Sequence, residues 1–180
     1  GVKVSVAGLG TGGHSRLGQV QGATIEHSVG LVHAAMDMGI NVIDVSETGG
    51  IEPIVGRAIK DRRDGLVVTT KLHPTHKDKS FVAAAELRAY VEGALGRLNT
   101  DVVDIFYLHS IKPEEYAYCA AELVPELERL RERGLIRFIG VSEYWARRPD
   151  TEHRMLAQAV QDGWDVLMAG FNILNQSATR

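Results

Sequence analysis

One cysteine, Cys119, stands in the whole chain. An internal disulfide is therefore excluded, and the single thiol suits a reducing compartment such as the cytoplasm. Its place in a helical pattern makes it a packing residue rather than a reactive group. No apolar run reaches the ~20 residues that a membrane-spanning helix requires. The opening Gly1-Val2-Lys3-Val4-Ser5 reads as strand, not as a secretion signal; it lacks a starting Met, so residues are expected upstream. Positive charge is not in excess: 20 Lys and Arg stand against 23 Asp and Glu, so no basic face for nucleic acid is implied. Linkers and low-complexity tracts are also missing. Tyrosine is absent from the first part of the chain, where Tyr90 is the earliest.

What is present is enough for one core. Of the 180 residues, 44% are hydrophobic, and residues 1–180 read as a single domain. The elements come in alternation. Val4 to Leu9 reads as a strand, followed by Gly8-Leu9-Gly10-Thr11-Gly12-Gly13. Ile25, Val29, Val32 and Met36 recur at helical spacing, and Gly39 ends that helix. Asn41 to Val45 forms a second strand. Ile51 to Lys60 forms a helix that tolerates Pro53 because it falls in the first turn. Leu66 to Lys71 is a third strand, apolar on both faces until Lys71. Ser80 is placed to cap the next helix, whose stripe is Leu87, Tyr90, Val91, Ala94, Leu95 and Leu98. Val102 to Leu108 is a fourth strand, with His109 after it. A helix over Glu114 to Arg133 is stopped by Gly134. Ile136 to Val141 is a fifth strand ending in Ser142-Glu143. A helix over Thr151 to Asp162 precedes a sixth strand, Asp165 to Phe171, with Asn172 at its end.

Strand and helix alternating at this spacing predict βαβ units and a parallel sheet. Two architectures compete. Gly8, Gly10 and Gly13 match the G-x-G-x-x-G of dinucleotide-binding doubly wound sheets. The helix, however, starts near Thr24, too late for the third glycine to pack at its N-terminus. A (β/α)8 barrel accounts for more, because its active sites gather at the C-terminal strand ends. Those ends carry Gly10-Thr11, Asp44, Lys71, His109, Ser142-Glu143 and Asn172. The expected fold is an α/β (β/α)8 TIM barrel, here incomplete at about six strands and five helices.

Asp44, Lys71 and His109 sit at successive strand ends. An ion pair between Asp44 and Lys71 in a dry mouth fixes the ammonium beside any acidic hydroxyl. A neutral His109 can orient a carbonyl by hydrogen bonding. Together they can polarise that carbonyl for hydride addition. The bland alternative is a buried ion pair and a satisfied histidine; three such residues at consecutive strand ends favour chemistry. His73-x-x-His76 with Asp44 and His109 offers zinc-type ligands, but His73 and His76 fall in a polar loop where solvated histidines are the simpler reading. No metal is expected. His14 can line the same mouth, while His27, His33 and His153 read as surface helix positions.

Motifs spread over nearly the whole chain give it a family likeness. Met38-Gly39-Ile40-Asn41-Val42-Ile43-Asp44, Val55-Gly56-Arg57-Ala58-Ile59, Thr70-Lys71 and Ile136-Arg137-Phe138-Ile139-Gly140-Val141-Ser142 all contribute. The most specific is the run Leu95-Gly96-Arg97-Leu98-Asn99-Thr100-Asp101-Val102-Val103-Asp104-Ile105-Phe106-Tyr107-Leu108-His109. With the opening Gly8-Leu9-Gly10-Thr11, the chain resembles the aldo-keto reductases, NADP-dependent enzymes on a (β/α)8 barrel. The resemblance implies Asp44, Lys71 and His109 as catalytic residues. It places Gly10, Thr11, Ser142, Glu143 and Met168 on the side of the cofactor, NADP (NADPH). Three departures stand out. The family keeps a catalytic tyrosine a few residues after the aspartate, where this chain has Gly49. Glu143 replaces the Asn that follows the serine, and Met168 falls where a Gln helps to hold the nicotinamide. The chain also stops after the sixth strand, before the family's residues for the 2′-phosphate. Six strands do not close an eight-stranded barrel, so the native protein is expected to be longer, near the ~250 residues of the fold.

The expected function is NADP-dependent interconversion of a carbonyl and an alcohol, with an atypical proton donor. His109, Tyr144, Glu47, His73 and His76 are the donors considered. The partner is a small-molecule carbonyl or alcohol, with neither nucleic acid nor membrane involved. Polar residues at the mouth, His14, Ser46, Glu47, His73, His76 and Glu143, lean toward a hydroxylated substrate such as a sugar; His14, Glu47, His73 and Tyr144 are the substrate-side residues. Trp145 could stack on a sugar ring or pack under its loop. Two alternatives remain: non-redox carbonyl chemistry such as epimerisation or dehydration, and a non-catalytic nucleotide-binding barrel like the potassium-channel β subunits that resemble this family.

Overall fold

The computed structural model describes residues 2–46, 50–144 and 153–179. Six parallel strands form one sheet: β1 (Gly8–Gly10), β2 (Val42–Asp44), β3 (Val67–Leu72), β4 (Val103–Ile111), β5 (Ile136–Glu143) and β6 (Val166–Met168). Their spatial order is their chain order, β1-β2-β3-β4-β5-β6. A doubly wound sheet reverses direction at a switch point; this one never does. The sheet is an incomplete (β/α)8 barrel, and the glycines after β1 do not make a dinucleotide-binding turn.

Helices α1 (Ile25–Asp37), α2 (Glu52–Ile59), α3 (Ala84–Leu98), α4 (Pro113–Tyr118), α5 (Val124–Glu132) and α6 (Arg154–Asp162) cover one face of the sheet. Neighbours pack in sequence, α1 on α2, α2 on α3 and α3 on α5. The buried core lies between these helices and the outward residues of the strands, including Ile43, Val68, Phe106, Leu108, Ile139 and Val141. Local chemistry explains the boundaries. The Thr24 side chain caps α1 by accepting the His27 N–H at 3.2 Å. Pro53 sits in the first turn of α2, where its missing N–H costs nothing.

Several boundaries differ from the sequence expectation. Only Gly8–Gly10 pairs in β1, because Ser5 and Asn41 bind each other through side chains upstream: Ser5 N–H donates to Asn41 Oδ1 at 2.7 Å, and Asn41 N–H donates to Ser5 Oγ at 3.0 Å. Ser80 does not cap α3. Its hydroxyl donates to Asp78 at 2.6 Å, and the α3 terminus is met by Glu86, which accepts the Ala83 N–H at 2.8 Å. The long helix expected from Glu114 to Arg133 is three pieces, with a π-helical turn over Cys119–Leu123. Pro125 lies just beyond and brings no N–H, so the ladder is re-spaced there. β4 runs past His109 to Ile111, with a register irregularity after Leu108 and Ser110 at φ 55. β6 is shorter than expected. Asp165 instead accepts the Ile139 N–H at 2.9 Å through its side chain.

Candidate active site

Side chains alternate across a strand, and the register decides which of them meet. Asp44 lies opposite Thr69, and Lys71 opposite Tyr107. Two residues further on, His73 just past the end of β3 comes beside His109 on β4, their ring centroids 4.3 Å apart. Asp44, Thr69, Lys71, Tyr107 and His109 therefore share the face opposite the helices, at the C-terminal ends of β2, β3 and β4.

Asp44 is the hub. Its Oδ1 accepts the Lys71 ammonium at 2.5 Å and the Thr69 hydroxyl at 2.6 Å. The Lys71 side chain is 5% exposed, that of Asp44 30%. A cation so enclosed must stay beside its counter-ion. Thr11 fixes the aspartate from the other side. Buried at the end of β1, it donates both its N–H and its hydroxyl to the Asp44 carbonyl, at 2.9 and 3.0 Å. Thr11 thus spends its donors on the scaffold of Asp44, while Gly10 opens on empty space.

Tyr107 completes the inner wall. It is 5% exposed, with the Lys71 Nζ 6.0 Å from its ring centroid. Burial, and then the charge of Asp44, push its phenol up to about 12. Gly140 on β5 makes room for the ring: a Cβ there would stand 2.4 Å from Tyr107 Cδ1. Sequence reading passed over Tyr107 and Thr69. The signal was available, since each lies two residues from a singled-out residue on its own strand and so shares its face.

On β5, Ser142 is buried and its Oγ accepts the Ser110 N–H at 2.8 Å, which leaves its own proton free to donate. Glu143 is engaged elsewhere. It accepts the backbone N–H of His153 at 3.1 Å and of Gly170 at 3.1 Å, and lies 2.8 Å from the His153 ring. It is a strut between β5, α6 and the segment after β6, and His153 is part of that strut rather than a surface position. Met168 is half-buried and lies opposite Ser142 in the register of β5 and β6. Tyr144 is exposed, with the Lys112 ammonium 5.6 Å from its ring centroid. His14 is exposed beyond β1. His33 is half-buried and bonds the Ala58 carbonyl at 2.8 Å. Glu47, Gly49 and Trp145 lie outside the described residues. Among the described residues, no group of three or more His, Cys, Asp or Glu could hold a metal. No helix there is long and apolar enough to cross a membrane. Surface clefts open at the other ends of the strands, around Asn41, Arg62 and Arg63; chemistry rather than concavity marks the mouth as the site.

The profile of the aldo/keto reductase family matches residues 8–177. The chain belongs to the aldo/keto reductase family. L-galactose dehydrogenase of Arabidopsis thaliana is 33% identical over 149 residues, covering 79% of this chain and 46% of that protein. Glycerol dehydrogenase of Gluconobacter oxydans superposes with a TM-score of 0.70 at 25% identity, over 97% of this chain and 54% of the other. An aldo/keto reductase of Klebsiella pneumoniae, solved with NADP and acetate, gives 0.59 at 32% identity, over 84% and 50%. The chain spans about half the length of the curated relatives it matches.

Proposed function

We propose that this chain carries the catalytic half of an NADP-dependent carbonyl reductase for a small, polar, sugar-like substrate, working in the cytoplasm. The observation that carries the reading is the Asp44–Lys71 pair, closed at 2.5 Å and nearly buried on the lysine side, with His109 on the same face. The solved relative with bound NADP supports the cofactor. The polar mouth and the names of two relatives, a galactose and a glycerol dehydrogenase, support a hydroxylated substrate. On this reading His14, His73 and Tyr144 contact the substrate; that His73 lies beside His109 and that His14 and Tyr144 are exposed supports it.

The donor set fits the nicotinamide end of the cofactor in part. Ser142 keeps a hydroxyl proton for a carboxamide oxygen, Gly10 leaves space, and Met168 offers packing alone. Glu143 has its oxygens taken by His153 and Gly170 and does not fit a carboxamide-binding role. When bound, the reduced nicotinamide would supply hydride. The chain's own residues do the rest. Thr11 and Thr69 hold Asp44, Asp44 holds the Lys71 ammonium, and that ammonium favours negative charge developing on the substrate oxygen. His109 orients the carbonyl by hydrogen bonding.

Fluorescence titration of the full-length protein with NADPH, then turnover with a panel of aldoses and ketones, tests the reading. Stoichiometric NADPH oxidation is expected, and Lys71→Met should lower kcat by roughly 10²–10³-fold, the scale of losing one stabilising cationic or hydrogen-bonding group. A protein that binds NADPH but converts a sugar without consuming it would instead be an epimerase or dehydratase. Neither Glu143, already accepting from His153 and Gly170, nor the Met168 thioether donates a hydrogen bond to a carboxamide, which favours that second reading.

A further inference from the structure

The family's tyrosine is not in the loop after β2, but a tyrosine does stand beside the lysine. We propose that Tyr107 is the proton donor of this site, supplied from β4 instead of from that loop. The inference rests on reading the site as a carbonyl-reducing centre.

Parallel pairing sets Tyr107 opposite Lys71, so its ring, 6.0 Å from the Lys71 Nζ at the centroid, stands next to the Lys71–Asp44 pair across β4, β3 and β2. Tyr, Lys, Asp and His thus meet on one face although the tyrosine comes from another element. The ring lies where any side chain at 140 would collide with it, 2.4 Å from the position of a Cβ. That position is glycine, so the ring is seated by a complementary gap on β5. The charged and titratable groups facing it are Lys71 and Asp44 from β3 and β2 and His109 from its own strand. β5 presents Phe138, Gly140 and Ser142 on this face, none of them charged.

The step balances. Hydride adds to the carbonyl carbon, the C=O π pair moves to oxygen, the Tyr107 O–H bond breaks and its proton ends on that oxygen. The phenolate that remains is compensated by the Lys71 ammonium, and water reprotonates it after the alcohol leaves. Before the step the phenol stays protonated across the neutral range, because burial and Asp44 push it up to about 12. An alkoxide is more basic than a phenolate, so the transfer runs downhill once hydride has arrived.

The test uses the full-length protein. Tyr107→Phe keeps the ring and removes the acid. Expected are unchanged NADPH affinity, a kcat lower by roughly 10²–10⁴-fold, the span of general acid catalysis, and loss of the alkaline limb of the kcat–pH profile. Site-specific 3-fluorotyrosine at 107 serves as a second variant and as a readout independent of turnover. Its fluorine NMR titration midpoint should fall in Asp44→Asn and rise in Lys71→Met, and the alkaline limb of kcat should move down with the more acidic phenol. Wild-type turnover with an undiminished Tyr107→Phe would overturn the proposal and leave the carbonyl-reductase reading standing. A fluorine midpoint indifferent to both Asp44→Asn and Lys71→Met would overturn it as well. A wild-type protein that never oxidises NADPH would overturn both.

Discussion

Charge at the mouth is arranged one atom at a time. Asp44 Oδ1 takes both the Lys71 ammonium and the Thr69 hydroxyl. Thr11 meanwhile takes the same residue's carbonyl from a strand 33 positions away in sequence. Asp44, Lys71 and His109 could be read from the sequence because each closes an apolar run with a polar group. Thr69 and Tyr107 could have been read by alternation. Thr11 and Glu143 were marked as strand-end residues, but their bonding roles could not be read: their partners include backbone groups 33 and 27 residues distant, and no local pattern encodes such a meeting. At this scale Cys119 carries a prediction. It is fully buried, and burial, with the Glu115 charge, pushes its thiol from 9.0 up to about 12. A thiol reagent at pH 8 should therefore leave the native protein unlabelled and react only once it is unfolded. The folded state holds this proton more tightly than the unfolded chain, so its contribution is whole below about pH 9 and is lost as pH rises toward 12. Urea midpoints should fall across that window, and the fall should be shallower in Cys119→Ala.

Among the elements, helix existence was legible and helix continuity was not. The Glu114–Arg133 run has a helical stripe throughout, yet Pro125 splits it through a π-helical turn; one absent N–H outweighs the pattern around it. The same tension shortens β1 and β6, where side chains of Ser5, Asn41 and Asp165 take hydrogen bonds that a longer ladder would have used. How closely two elements approach was also hidden. Gly56 on α2 faces the end of α3, and a Cβ there would lie 2.6 Å from the Leu98 carbonyl carbon and 2.7 Å from the Arg97 oxygen. Backbone cannot step aside as a flexible side chain can. Gly56→Ala should thus cost about 1–3 kcal/mol despite alanine's better helix propensity, read as a lower midpoint in thermal or urea unfolding. An unchanged or raised midpoint would mean that α2 and α3 separate more freely than this contact implies. Glu52 adds to the same junction. Buried at the start of α2, it accepts from Thr70, Tyr90 and Arg97, the last at 2.5 Å.

For the molecule as a whole, the barrel class followed from the alternation of elements and from polar strand ends. What the sequence concealed was a clamp at the opposite end. Asp104, read as one letter in an apolar strand, is buried and accepts from Arg63 at 2.6 Å, Arg137 at 2.7 Å and the Val68 N–H at 2.8 Å. It ties β3, β4 and β5 together where the chain enters the sheet. Asp104→Ala strands two guanidinium groups that are themselves partly exposed, so the loss should fall at the low end for a broken buried pair, about 3 kcal/mol. Because the clamp lies away from the mouth, NADPH affinity measured well below the melting point should survive the change. A variant that keeps its stability would remove Asp104 from that role.

The unbroken order of the strands has a consequence for how this chain is made. Every strand pairs with the one that precedes it in sequence, so as the polypeptide leaves the ribosome, each new strand meets a template already formed. Assembly can then proceed from the N-terminus by successive addition, without waiting for a distant segment to arrive. On such a path the centre at the mouth matures late in β4: Asp44 and Lys71 can pair as soon as β3 docks, and Tyr107 and His109 join them one strand later.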